Sequence, residues 1–199
     1  MQFDSENRGH EFLEVERLAV SYMKHPHEMP KAQSLAAWKP IVLLWDFPSF
    51  RPYRSWGIFQ RRERRASKDL SLVRQITWDR GADAERLSNP LTGLREGFHV
   101  QPTLEVRDRP LDTARLERFL DELRSISFPA FCAQGFGIDG DIFGVAYPQL
   151  SLSVEWWCEG PASWEALTHW AYTMREWLSE VTAAPPSEYA SPPVRPKLP

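Results

Sequence analysis

This chain of 199 residues has little of what usually announces a chemistry. It contains two cysteines, Cys132 and Cys158, too few for a disulfide framework or a four-cysteine zinc site. In a reducing compartment both are expected as thiols. No G-x-x-x-x-G-K-[S/T] phosphate loop, G-x-S-x-G elbow or H-E-x-x-H helix occurs, which removes the signatures of P-loop nucleotide binding, serine hydrolysis and zinc proteolysis. No apolar run approaches the ~20 residues that span a bilayer. The N-terminus, MQFDSENRGHEF, is polar and has no apolar signal segment. The expectation is a cytoplasmic protein with no membrane partner and no cofactor.

What the chain does have is material for a core. Hydrophobic residues make up 42% and aromatics 13%, enough for one domain, expected over residues 1–184. Six prolines in the last fifteen residues mark 185–199 as a flexible, extended tail. The net charge of −3 is unevenly spread. Residues 51–80 hold nine Arg/Lys against three Asp/Glu, and residues 112–184 hold four against eleven. Such asymmetry steers a charged partner unless the two regions fold together and neutralise each other.

Periodicity predicts the elements. Phe12, Val15, Leu18, Ala19 and Tyr22 form one helical face over 10–24, ended by HPHEMP. A short helical piece is expected at 31–38, and IVLLW (41–45), bounded by Pro40 and Pro48, reads as a buried strand. Residues 56–62 and 70–79 read as strands joined by a basic connection, the second apolar on both parities. A short helix at 82–88 and a strand at 102–108 follow. Asp112 is placed to cap a helix whose apolar stripe is Leu116, Phe119, Leu120, Leu123 and Ile126. Asp139-Gly140 suits a type I′ hairpin turn. QLSLSVEWW alternates strictly, and Pro161 opens a final helix over 162–181. Strands with interspersed helices give the class α+β, a twisted, mostly antiparallel sheet with helices packed chiefly on one face.

The catalytic candidates fail on geometry. By strand parity Cys158 falls with Leu152, Val154 and Trp156 on the core side, where an apolar setting keeps a thiol inert. His169 falls on the outer face of the last helix, so the two cannot meet. His25, His27 and Glu28 flank a proline, with no further ligands in a recognisable pattern. Asp139 and Asp141 lack the rest of a calcium loop, and the hairpin turn suffices to explain Asp139-Gly140. The basic run QRRERRASK (60–68), with Arg61, Arg62, Arg64 and Arg65, offers phosphate contacts but no nucleic-acid-binding motif surrounds it.

Two surfaces remain as binding candidates. Glu165, His169, Glu176 and Glu180 project together from the last helix as an acidic face, with Trp170 and Trp177 at its shoulder. Arg51, Tyr53, Arg54 and Trp56, in FPSFRPYRSW, are residue types enriched at binding hot spots.

The order LERFLDELRSISFP, IDGDIFGV, WWCEGPASWEALTHWAYTMREWL resembles a pattern of small uncharacterised bacterial proteins, over about residues 105–181. That resemblance carries a loose association with immunity and other toxin-linked proteins and implies no catalytic residues. The reading is therefore a non-enzymatic protein-binding module, taking the form of an immunity-type inhibitor of a basic toxin or effector. An enzyme with a site assembled from residues distant in sequence is the alternative. Nucleic-acid binding through 60–68 ranks third.

Overall fold

A computed structural model describes residues 5–30, 32–63, 68–88, 101–130, 132 and 140–183. Helix α1 (Ser5–Lys24) leads into strands β1 (Lys39–Pro48), β2 (Tyr53–Glu63) and β3 (Lys68–Trp78). Helix α2 (Arg80–Ser88), strand β4 (Leu104–Leu111) and helix α3 (Thr113–Ser125) follow. Strands β5 (Asp141–Tyr147) and β6 (Leu152–Trp157) and helix α4 (Glu165–Ala183) complete the chain order. All neighbouring strands are antiparallel in one six-stranded sheet, ordered β4-β3-β2-β1-β5-β6. The α+β class and the antiparallel sheet are as the pattern predicts, but helices cover both sheet faces and not chiefly one.

The larger core lies between one sheet face and the two C-terminal helices. Val42, Leu44, Trp56, Ile58, Val73, Phe143, Val145 and Trp156 meet Leu116, Phe119, Leu120 and Leu123 of α3 there, and Leu167, Met174 and Leu178 of α4. A smaller cluster on the opposite face packs Val15, Ala19 and Met23 of α1 on Trp45, Phe47, Ile76 and Trp78. Cover on both faces explains the unbroken apolar run of β1, because both parities of that strand are buried. It also resolves the two-sided β3. Val73 faces α3 and α4, whereas Ile76 and Trp78 face α1.

Local chemistry fixes the ends. Asp112 caps α3, accepting from the Ala114 amide at 2.9 Å. Trp170 and Trp177 are core residues. The Trp170 indole donates to the Phe119 carbonyl at 2.8 Å, and Trp177 stacks on the Phe119 ring. On the α1 face, Trp45 lies over Gly144, where a Cβ would come within 2.1 Å of the indole. The Trp45 N–H then reaches Glu155 at 2.9 Å, and Lys24 pairs with the same carboxylate oxygen at 2.8 Å. One contact thus ties α1 to three strands.

Arg74, fully buried, pairs with Asp108 and donates to the carbonyls of Pro26 and Gln33, anchoring the loop after α1. That loop carries a single 3-10 turn, Pro26–Glu28. Residues 32–38 form bends and turns and no helix, and the Gln33 carbonyl within them accepts from Arg74. Asp139 of the expected Asp139-Gly140 turn, the basic connection at 64–67 and the tail at 185–199 lie outside the described residues, as does residue 184.

The position of Cys158 is a correction. Strand β6 ends at Trp157, and Cys158 takes a left-handed conformation (φ 51°) and is exposed. Its N–H donates to the Asp141 carbonyl and its carbonyl accepts from the Tyr172 hydroxyl, both at 2.8 Å. The parity argument fails because it extends the strand one residue too far. Trp156 does point into the core, and Gly160 at φ 77° helps turn the chain toward α4.

Candidate functional site

The antiparallel register decides which candidate residues share a surface. Asp46 of β1 pairs with Arg54 of β2, and Leu44 with Trp56, so Asp46, Arg54 and Trp56 all project toward α4. On α4, Arg175, Glu176, Ser179 and Glu180 lie on the side that overhangs this end of the sheet. Together with Arg51 they line a polar groove of about 370 Å³. That volume is at the small end of ligand-binding clefts.

The floor of the groove is buried and incompletely bonded. Arg175 donates to Asp46 Oδ2 at 3.3 Å, and its guanidinium lies over the rings of Tyr172 and Phe143. Asp46 Oδ1 has no hydrogen-bond partner, nor has Trp56 Nε1, and both atoms are buried. Trp56 is wholly buried and Asp46 is 7% exposed. Unpartnered buried polar atoms each cost about 1–3 kcal/mol, so folded proteins contain few of them. Burial pushes the Asp46 carboxyl above its ordinary value. Arg175 pulls the other way, the Asp141 charge adds to the rise, and Arg51 opposes it.

The rim carries both signs of charge. Arg51 pairs with Asp141. Arg54, Glu176 and Glu180 have no ion-pair partner among the described residues. The basic and acidic regions of the sequence therefore do fold together here, although only in part. Two glutamates and one arginine are left facing solvent at the mouth.

Five of the eight sequence-predicted residues meet in this groove: Arg51, Arg54, Trp56, Glu176 and Glu180. The other three do not. Glu165 and His169 are exposed on α4, nearer its N-terminus and apart from the groove lining. Tyr53 projects to the opposite face, stacked on Phe47 with its edge against Trp78. Asp46, Arg175 and Ser179 were not expected from the sequence. Two of them carried a signal. Asp46 is an acid in a strand that is otherwise apolar between its prolines, and Arg175 is the one Arg or Lys in α4.

The groove lining is charged and polar. Ser179 is the lone hydroxyl among the lining residues, with no imidazole or thiol beside it to activate it. Elsewhere, His25 bonds the Ser21 carbonyl, and His27 lies 3.5 Å from its neighbour Glu28. Among the described residues no three His, Cys, Asp or Glu side chains are grouped to hold a metal. Arg61, at the edge of the basic run, sits over the Trp38 ring. Gly135 to Gly140 has the G-x-G-x-x-G spacing of dinucleotide loops, but strand β5 follows it where that motif requires a helix.

No helix among the described residues is long and apolar enough to cross a membrane. No protein-family model, curated protein or solved structure matches this chain.

Proposed function

We propose that the protein is a non-enzymatic binding module whose contact surface is centred on the groove between α4 and the β1–β2 end of the sheet. The observation that carries this reading is the concentration there of unspent polar groups. Asp46 Oδ1 and Trp56 Nε1 are buried without partners beneath a rim of Arg54, Glu176 and Glu180. A partner that completes these bonds gains more than one that merely covers a flat charged surface.

On α4 the two rim glutamates face solvent, with Arg175 turned into the groove. This balance favours a basic partner, whose approach the acidic helix accelerates. Covering the active surface of a basic toxin or effector, as an immunity-type inhibitor does, is the form of binding that suits such a face.

The test is affinity purification from cells that express the protein, run in parallel with the wild type, a Glu176→Lys/Glu180→Lys variant and a Glu165→Lys control. The reading predicts proteins enriched by the wild type and the control but lost with the groove variant. An identical set captured by all three chains would refute it.

A further inference from the structure

We infer that the floor of this groove binds a primary carboxamide, the group carried by Asn and Gln side chains and by free glutamine. The inference deepens the binding reading above and rests on it for the idea that a partner enters the groove.

The argument is one of matching. Two buried side-chain atoms without a partner belong to residues that line the same groove. One is an acceptor, Asp46 Oδ1; the other is a donor, the Trp56 indole N–H. They belong to diagonal positions on neighbouring strands and face the same side, since Asp46 pairs with Arg54 and Trp56 with Leu44. A ligand group that satisfies both must donate and accept within a short span.

Charged groups fit poorly. A carboxylate can accept from Trp56 but meets the Asp46 carboxylate, which has no proton to share when ionised. An ammonium or guanidinium can donate to Asp46 but offers nothing to the indole N–H, and it meets Arg175, which already occupies the other Asp46 oxygen. An aliphatic group leaves both atoms unbonded. A primary carboxamide is neutral, donates through its NH2 and accepts through its oxygen. A site built from hydrogen-bonding groups rejects analogues lacking them, because its own buried atoms are then left unpaired.

The same carboxamide can arrive on a partner's contact loop or as a free small molecule. The probes separate these sources. The full chain, 15N-labelled at tryptophan, shows the indole N–H of each of its nine tryptophans, and Trp56→Phe assigns the signal of Trp56. N-acetyl-L-glutamine methylamide is titrated in, with the matching capped glutamate and capped norleucine as comparators, and then free L-glutamine.

The expected result is a saturable shift of the Trp56 indole signal with capped glutamine, and at least about tenfold weaker binding of both comparators. Free glutamine binding within about twofold of the capped form assigns the site to a partner's side chain. Free glutamine binding more than about tenfold tighter assigns it to the small molecule. Asp46→Ala is expected to weaken capped glutamine by about tenfold, with the other indole signals reporting that the fold is retained. No saturable shift with either glutamine form, or an equal shift with capped glutamate or norleucine, overturns the inference even if Asp46→Ala does not fold. The titration needs no partner. Carboxamide binding with unchanged partner capture on charge reversal would therefore sink the binding reading alone. Lost capture without carboxamide binding would sink this inference alone.

Discussion

Asp46 on β1 and Arg175 on α4 meet at 3.3 Å through one carboxylate oxygen, while the other oxygen is buried with no hydrogen bond. Arg175 continues over the rings of Tyr172 and Phe143, so this pair joins the last helix to two strands. Under the proposed binding reading, it is a position where binding chemistry and fold stability make opposite demands.

Burial raises the Asp46 carboxyl above its ordinary value, against the opposing pull of Arg175. Ionising it therefore costs more in the folded than in the unfolded chain. Its favourable contribution is full below the unfolded value of 3.8 and is lost as the pH rises through the higher folded one. Asp46→Asn, neutral and of the same shape, is predicted to raise Tm at neutral pH, with the gain shrinking as acid is added. Thermal melts across this range check it, and a variant less stable than the parent at neutral pH would contradict it.

Asp83 behaves in the opposite sense. Burial works against its charge, but hydrogen bonds from Thr103 and the Trp78 indole, with the nearby Arg86, outweigh burial and hold its carboxyl below 3.8. Its contribution is present above 3.8 and is lost as the pH falls through the still lower folded value. Asp83→Ala is predicted to cost about 3 kcal/mol at neutral pH, because it strands buried donors. The difference from wild type should narrow in strong acid. Urea unfolding at several pH values measures both effects.

Gly144 is predicted to tolerate no side chain. A Cβ there would stand 2.1 Å from the Trp45 ring, which is buried beneath α1. Gly144→Ala should cost about 1–3 kcal/mol by forcing Trp45 off its seat and loosening its bond to Glu155. Urea unfolding monitored by tryptophan fluorescence reads the loss.

Cys158 should react readily with a thiol reagent in the native protein and ahead of Cys132, since it is exposed and Cys132 is half-buried. Its left-handed backbone costs a non-glycine residue about 1–2 kcal/mol. Cys158→Gly is therefore predicted to keep or raise stability, by up to about 1 kcal/mol once the extra freedom of glycine in the unfolded chain is offset. Native-state thiol titration with a Cys158→Ser control, together with melts of the glycine variant, tests both points.

Much of this architecture was legible because local rules and tertiary packing agree. The Leu116–Leu123 stripe and the Asp112 cap mark α3, and the apolar run at 41–45 marks β1. Cys158 was misread because a strand's last residue is set by the following turn, here the bond from its own amide to Asp141, and alternation carries no information about that stop. The groove was half legible. Residue types picked out Arg54, Trp56, Glu176 and Glu180, yet nothing local says that β2 and α4 meet. Tyr53 illustrates the limit, because the alternation along β2 sends it to the opposite face from its neighbour Arg54. Asp46 and Arg175 show what a long-range contact hides, an acid in an apolar strand and the one Arg or Lys of α4, 129 residues apart.

The most direct test of the central claim is the affinity, by titration calorimetry, of a partner captured by the wild type, compared across groove and non-groove variants. The account predicts that Glu176→Lys/Glu180→Lys weakens binding by at least about tenfold, or roughly 1.4 kcal/mol, while Glu165→Lys stays within about twofold. Equal losses from both substitutions, or no loss from either, would show that the groove is not where the protein binds.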